Sequence, residues 1–113
     1  MRATYYFYIN TNPDRNVLYI GVTNNLLQRT IEHYLLRGDP KTFAGKYSCY
    51  FVIYYEEFKY INNAILREKE VKKWNRQKKE VLIKTMNPQW RFLNFELFDH
   101  WPPDGELFHR GIR

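Results

Sequence analysis

The chain has little cysteine and no long apolar run, and both absences narrow what it can be. Cys49 is the one cysteine among 113 residues, which excludes an internal disulfide and a zinc cluster of cysteine ligands. It lies in an apolar run and is expected to fill the core. No apolar stretch approaches the roughly 20 residues of a membrane span, and the first residues, Met1–Thr4, do not read as a signal peptide. We therefore expect no membrane association and a cytoplasmic location.

Acidic residues are fewer than basic residues in this chain. The chain has 12 acidic residues against 18 lysines and arginines, which gives a net charge of +6. This balance favours polyanionic partners, because a basic surface attracts a phosphate backbone and releases its counterions. Hydrophobic residues make up 44% of the chain, enough for one domain with a core. We place that domain at residues 1–100 and expect residues 101–113 to form a flexible tail.

Three strands and two long helices are predicted from periodicity and turn residues. The strands are Thr4–Asn10, Val17–Val22 and Ser48–Glu56, and the helices are Leu26–Leu36 and Ala64–Lys79. The first two strands form a hairpin. The third has a continuous apolar run, so we expect it to be central, buried on both faces and in contact with the first. Asp39–Lys46 is predicted to be a loop, and Asn62-Asn63 to cap the second helix.

The first helix has an apolar stripe that is expected to pack on the sheet. Its members are Leu27, Ile31, Tyr34 and Leu35. Arg29 and His33 lie one turn apart on the opposite side. We therefore expect neither of them to be a core residue of this helix.

Glu68 is the most unusual residue of the second helix, because it lies within an apolar arc. The apolar members of the arc are Ile61, Ala64, Ile65 and Val71. A carboxylate in this place needs an ion pair, a hydrogen bond or a metal ion. Its hard oxygen suits Mg²⁺ or Mn²⁺ that keeps its waters and shares a substrate phosphate. A salt bridge to a core arginine is the alternative.

The other side of this helix is basic and is predicted to follow a phosphate backbone. The candidates for nucleic-acid binding are Lys69, Lys72, Lys73 and Arg76. A solubilising face is the alternative, and for any single lysine it is the better one. The 10 tyrosines suit half-buried strands, although aromatic residues among basic ones also favour nucleic acid.

Four polar residues offer the parts that phosphodiester hydrolysis requires. Tyr8 and Tyr19 lie on the two strands of the hairpin, and alternation can place both hydroxyls on one face. Beside a cation, either tyrosine can act as a base or orient water. Arg29 can bind non-bridging phosphate oxygens, and His33 is a second candidate base. Each of these four residues can also have an ordinary structural role, and so can Asn87 in a turn before Pro88. The hypothesis of phosphodiester hydrolysis therefore rests on their occurrence together.

These residues, in this order, resemble the GIY-YIG nuclease superfamily. The resemblance rests on Tyr6-Phe7-Tyr8 and Tyr19-Ile20-Gly21, followed by Arg29, His33, Glu68 and Asn87, and it covers roughly residues 4–90. The stretches Arg67–Trp74, Lys79–Ile83 and Asn87–Trp90 are similar to the short stand-alone bacterial branch, which is related to the N-terminal nuclease domain of the excinuclease C subunit.

The resemblance implies an α+β fold, with a small three-stranded antiparallel sheet flanked by helices. It implies a divalent-metal-dependent endonuclease acting on DNA, with a role in repair or recombination. The resemblance implies that Tyr8 or Tyr19 is the general base, that Arg29 binds the phosphate and that Glu68 binds the metal ion. It also implies that His33 takes part in proton transfer, that Asn87 supports the site and that Gly21 lets the backbone pass close to the substrate.

The chain departs from the family pattern in two ways. Tyr6 stands where the family has a glycine, which is expected to narrow the site. We also expect no separate DNA-targeting domain, and therefore weak binding, recognition of branched, damaged or single-stranded DNA by shape, or a targeting partner protein.

Two other functions stay open. One is a catalytically inactive nucleic-acid-binding module of the same fold. The other is a protein-interaction subunit that docks through Trp90, Phe92 and the segment Phe95–Trp101.

Overall fold

A computed structural model describes residues 3–103 of the chain. Within them, the elements are β1 (Tyr5–Thr11), β2 (Leu18–Thr23), α1 (Leu26–Leu35), α2 (Phe43–Lys46), β3 (Phe51–Phe58), α3 (Ile61–Lys72), α4 (Arg76–Met86) and α5 (Asn94–Leu97). The strands form one antiparallel sheet flanked by the helices. The predicted fold class is confirmed.

The central strand of the sheet is β1, not β3. The strand order is β2-β1-β3, so the predicted contact of the third strand with the first is confirmed and its predicted central position is wrong. In β1 the last five residues, Phe7–Thr11, are all buried, as expected for a strand covered on both faces. In β3 only Val52, Ile53 and Tyr54 are buried, and the strand ends among exposed and half-buried residues.

Two asparagines cover the outer edge of β3 and explain its apolar run. Asn94 accepts a hydrogen bond from the Val52 N–H at 2.7 Å and donates to the Tyr50 carbonyl at 3.0 Å. Asn87 donates to the Ile53 carbonyl at 3.0 Å. An unpaired strand edge exposes backbone groups that need partners. Here side-chain amides supply them, so the middle of an edge strand is buried.

The main hydrophobic core lies on one face of the sheet. Its members from the helices are Val71 of α3 and Ile83 of α4, and its members from the strands are Phe7, Ile9, Ile20, Ile53 and Tyr54. The opposite face carries Tyr8, which contacts α1 through His33. The two faces therefore have different chemistry: apolar packing under α3 and α4, and buried polar contacts under α1.

Helix α1 turns a different side to the sheet from the one predicted. Its buried residues are Leu26, Thr30 and His33, whereas Leu27 is 43% exposed. Polar residues can take this position because each has a partner: the Thr30 hydroxyl donates to the Leu26 carbonyl at 2.7 Å, and His33 bonds to Tyr8. The prediction that His33 is not a core residue is wrong.

The predicted helix over Ala64–Lys79 is two helices. Helix α3 ends at Lys72, and Asn75 begins α4 by accepting a hydrogen bond from the Lys78 N–H at 2.8 Å. The N-cap of α3 is Tyr60, not the predicted Asn62-Asn63, which lie inside the helix. The predicted loop Asp39–Lys46 also contains a helical turn, α2, capped by Thr42.

The segment after α4 closes the core. Phe92 stacks on Phe51 with ring centroids 3.7 Å apart, and Leu93 and Asn94 are buried. Trp101, placed in the predicted tail, packs on Tyr34 at 5.2 Å and on Phe98 at 5.1 Å. Residues 104–113 of the predicted tail lie outside the described residues. No helix within residues 3–103 is long and apolar enough to cross a membrane.

We predict that Asn87→Ala destabilises the domain by about 2–4 kcal/mol, because it leaves buried backbone groups without partners. The Asn87 side chain donates to two carbonyls, those of Ile53 and Arg91, and accepts from the Arg91 N–H at 2.9 Å. Urea unfolding measures the loss. The exposed Asn62 provides the control, since Asn62→Ala is expected to change stability by about 0.5 kcal/mol or less. Equal effects of the two substitutions would contradict the prediction.

Candidate active site

Tyr8 and His33 form a buried hydrogen-bonded pair between β1 and α1. Their Oη and Nε2 atoms are 2.8 Å apart, and Tyr8 is 1% exposed. Burial, with the nearby Arg29, lowers the pKa of His33 to about 4, and burial, with Tyr19, raises the pKa of Tyr8. At neutral pH both side chains are therefore uncharged, and the tautomer of His33 sets which of the two groups donates the hydrogen bond.

Gly21 gives room to the Tyr8 ring. The two residues are cross-strand partners, and a Cβ built on Gly21 would lie 2.5 Å from the Tyr8 hydroxyl oxygen. Any side chain at this position would displace the ring and its bond to His33. The resemblance implied that Gly21 allows close approach of the substrate. In the structure the space above Gly21 is occupied by Tyr8.

Tyr19 is the tyrosine that reaches an open cleft. Its ring packs edge-on against His33 at 5.1 Å and lies 6.2 Å from that of Tyr8. The prediction that the two tyrosines share a face is confirmed. Tyr19 is half-buried and lines a cleft of about 300 Å³ with five other residues, Leu18, Ile20, Phe43, Lys72 and Lys79.

Arg29 lies one turn before His33 on α1 and is half-buried. Its guanidinium forms an ion pair with Glu32 at 3.0 Å. Burial alone would lower the pKa of Arg29, but the bond to Glu32 and the neighbouring Tyr8 hydroxyl raise it. The side chain is therefore a permanent positive charge held beside the two tyrosines.

Glu68 lies on α3 between the buried Ala64 and Val71, as the predicted apolar arc requires. Its side chain is 21% exposed and pairs with Lys72 at 3.2 Å. The partner is a lysine of the same helix, not the core arginine that was the alternative. Because Lys72 also lines the Tyr19 cleft, the ion pair brings the carboxylate to the rim of that cleft.

Glu68 suits a divalent ion that is held mostly by water and substrate. Within residues 3–103, no three histidine, cysteine, aspartate or glutamate side chains are grouped to hold a metal ion. One half-exposed carboxylate fits Mg²⁺ or Mn²⁺, which commonly retain several waters and use few protein ligands. It does not fit a tightly bound structural metal.

The basic residues differ in what they line and contact. Lys72 of α3 and Lys79 of α4 line the cleft, whereas Lys69 and Lys73 are exposed outside that lining. Arg76 donates to the Asn16 carbonyl at 3.0 Å and pairs with Glu80 at 2.9 Å. Of the four predicted residues, Lys72 is the one that lines the cleft.

Asn87 and Tyr6 lie apart from the cleft lining. All three hydrogen bonds of the Asn87 amide go to backbone of β3 and of the turn after α4, so its support of the site is through the fold. Tyr6 packs on Tyr55 at 6.3 Å and lines a separate cavity of about 350 Å³. The tyrosine that replaces the family's glycine does not narrow the Tyr19 cleft.

Phe43 and Lys79 are cleft residues that sequence reasoning did not include among the site residues. Phe43 stacks on Tyr19 with ring centroids 6.4 Å apart and belongs to a segment predicted to be a loop. The available signal was an isolated aromatic residue in an otherwise polar, lysine-containing stretch. Lys79 ends the predicted helix Ala64–Lys79, and its place in the cleft depends on the break between α3 and α4.

The chain was compared with protein families, with curated proteins and with solved structures. A family model for the GIY-YIG catalytic domain matches residues 4–81, which include Tyr8, Tyr19, Arg29, His33 and Glu68. The comparisons with curated proteins and with solved structures each gave no significant match. The family match confirms the resemblance to the superfamily; assignment to the short bacterial branch stays a prediction.

We predict that His33 makes the protein less stable as the pH falls from 7 to 5. Its pKa is lowered from 6.5 to about 4 in the folded protein, so the unfolded chain binds the extra proton first. Stability is greatest above pH 6.5 and declines as pH falls towards 4. At pH 5 the expected loss is about 2 kcal/mol, since one pKa unit corresponds to about 1.36 kcal/mol.

Urea unfolding at pH 7 and pH 5 measures this loss. His33→Gln is expected to remove most of the difference between the two pH values. The exposed His100 gives the matched control, because His100→Gln should leave the difference unchanged. A wild-type pH dependence that survives in the His33 variant would contradict the assignment.

Proposed function

The chain belongs to the GIY-YIG family of nucleases, and we propose that it is a divalent-metal-dependent endonuclease that hydrolyses phosphodiester bonds in DNA. The observation that carries the proposal is the Tyr19 cleft. It brings the half-buried tyrosine together with Lys72, the ion-pair partner of Glu68. Arg29 lies behind Tyr19, close enough to Tyr8 and Tyr19 for both to affect its pKa. These contacts support a site in which Tyr19 is the base, Arg29 the phosphate ligand and Glu68 the metal ligand.

Tyr19 is the residue proposed to take the proton from the attacking water or to orient that water. Its ring lines the open cleft, whereas the Tyr8 hydroxyl is buried against His33. The raised pKa of Tyr8 also keeps its phenol protonated at neutral pH, so that Tyr8 is not available to accept the proton. We assign to Tyr8 and His33 the role of positioning residues, which hold the Tyr19 ring in place from beneath.

Arg29 is proposed to bind the non-bridging oxygens of the phosphate, where negative charge develops during attack. Its forked guanidinium matches two phosphate oxygens. Glu32 now occupies one side of the guanidinium at 3.0 Å. This leaves the other donors for a substrate and keeps the side chain from folding away.

Glu68 is proposed to hold one Mg²⁺ or Mn²⁺ ion through a carboxylate oxygen. Such an ion, when bound, acts as a Lewis acid on the phosphate and stabilises the leaving oxygen. Lys72 neutralises Glu68 at 3.2 Å and must release it for an ion to bind. Once released, its ammonium is available to a DNA phosphate at the same cleft.

The preferred DNA is proposed to be branched, damaged or single-stranded, in repair or recombination, with a targeting partner protein supplying further affinity. The cleft has lysines and aromatic rings but is small, about 300 Å³. A cleft of this size contacts a few nucleotides and reads backbone and shape more than sequence.

Cleavage of supercoiled plasmid tests the proposed activity. We predict cutting with Mg²⁺ or Mn²⁺ that falls about 100-fold or more in EDTA and in Glu68→Gln, because a metal ion supplies several kcal/mol of charge stabilisation. Glu70→Gln is the control, since Glu70 pairs with Arg67 on the same helix and should retain most of the activity. Equal cutting by wild type and Glu68→Gln would contradict the proposal. Binding without cutting would favour the inactive binding module.

The salt dependence of DNA binding tests which lysines contact the phosphates. We predict that Lys72→Ala/Lys79→Ala lowers the slope of log affinity against log salt by about 2, one unit for each lost phosphate contact. Lys69→Ala/Lys73→Ala removes the same charge outside the cleft and should change the slope much less. Fluorescence anisotropy in EDTA measures binding without cleavage. A larger effect of the control pair would place the DNA on the exposed face of α3.

A further inference from the structure

Two exposed aromatic rings next to the cleft have no function in the chemistry described above. Phe43 is 53% exposed and Tyr47 is 40% exposed, and their ring centroids are 4.8 Å apart. The row continues inwards, since Phe43 stacks on Tyr19 with an interplanar angle of 26°. We propose that Phe43 and Tyr47 form a stacking platform for unpaired nucleobases of the substrate beside the phosphate that is cut.

The backbone beneath the platform is fixed. Gly45 is buried, and a Cβ built on it would lie 2.6 Å from the Asp39 carbonyl oxygen and 2.7 Å from that of Leu36. The Gly45 carbonyl accepts a hydrogen bond from the Gly38 N–H at 2.8 Å, and the Ala44 carbonyl accepts one from Cys49 at 2.8 Å. The small residues of α2 thus face inwards and its aromatic neighbours face outwards. A platform held in this way loses little entropy when a base stacks on it.

The charges around the rings favour nucleic acid over a protein partner. Lys46 lies over the Tyr47 ring, 5.3 Å from its centroid, and Phe43 shares the cleft with Lys72 and Lys79. Aromatic rings interleaved with positive charges are typical of surfaces that bind single strands, where bases stack and phosphates follow the lysines. A purely apolar docking surface does not require these lysines.

The platform predicts a class of substrate. Bases inside a duplex are already stacked on one another, so an exposed ring gains contact only with bases that are unpaired. The inference rests on the proposed nuclease function and deepens it: the DNA has unpaired nucleotides next to the cut, as in single strands, flaps or junctions. A fully paired duplex would contact the lysines and leave the rings uncovered.

Binding of a labelled single strand and of the matched duplex tests the platform. Fluorescence anisotropy is measured in EDTA, so the result does not depend on cleavage. Phe43→Leu keeps an apolar side chain but removes the ring, and we expect its affinity for the single strand to fall about 5-fold to 100-fold. Phe43→Tyr keeps the ring and is expected to stay close to wild type. Duplex affinity should change little in either variant.

Two further variants complete the test. Phe95 is 61% exposed but lies on α5 outside the cleft, so Phe95→Leu should bind the single strand as wild type does. Tyr47→Leu is the second platform variant and decides the question if Phe43→Leu does not fold. The proposal is overturned if a folded platform variant binds the single strand as wild type does, or if duplex affinity falls equally. Loss of binding here with no cleavage by wild type would keep the platform and reject the nuclease.

Discussion

The hydrogen bond between Tyr8 and His33 is the contact on which the site depends. It joins the central strand to α1 through two fully enclosed polar groups, and a buried polar group without a partner is costly. The bond therefore selects one rotation of α1 on the sheet. That rotation places Arg29 beside the tyrosines and turns Leu27 outwards. The same bond requires a glycine at Gly21, because the Tyr8 ring occupies the space that a side chain at this position would need.

Above this buried pair lies a layer of groups that are partly exposed and already paired. Arg29 is held by Glu32 and Glu68 by Lys72, so the charges a substrate would meet are balanced before it binds. A phosphate or a divalent ion must compete with these partners. Exposed ion pairs contribute only about 0–1 kcal/mol. A ligand that binds several of these groups together can therefore displace Glu32 and Lys72 from their partners. The arrangement favours weak binding of any single component and cooperative binding of metal and substrate.

Residue type and spacing predicted part of this structure well. Alternation along Tyr6–Asn10 and Leu18–Gly21 was enough for the hairpin and for the shared face of Tyr8 and Tyr19. Glu68 was identified because a carboxylate within an apolar arc needs a partner. The predictions that were wrong concern features that depend on contacts between distant parts of the chain, which a sequence pattern does not contain. The apolar stripe of α1 counted Leu27 as buried, since the Tyr8 hydroxyl that pairs with the buried His33 comes from a strand elsewhere in the fold.

The remaining errors have the same physical origin. The edge strand β3 looked central because Asn87 and Asn94, more than 30 residues later in the chain, satisfy its outer edge. The break between α3 and α4, where the amide of Asn75 caps α4, was not predicted, and with it the place of Lys79 beside Lys72 in the cleft was missed. Helix α2 was predicted as loop because its four residues carry no periodicity, and with it the stacked Phe43 was missed.

In the proposed mechanism Tyr19 accepts a proton from the attacking water or orients that water, and Tyr8 positions the Tyr19 ring. The most direct test compares the two tyrosines. Single-turnover cleavage of DNA with saturating divalent metal would be measured for wild type, Tyr19→Phe and Tyr8→Phe, with each protein verified as folded. We predict that Tyr19→Phe lowers the cleavage rate about 100-fold or more, because a general base typically accelerates a reaction by at least that factor. Tyr8→Phe should lower unfolding stability and should lower the rate much less than Tyr19→Phe does. A folded Tyr8→Phe protein that loses as much activity as Tyr19→Phe, or a Tyr19→Phe protein that cuts at the wild-type rate, would contradict it.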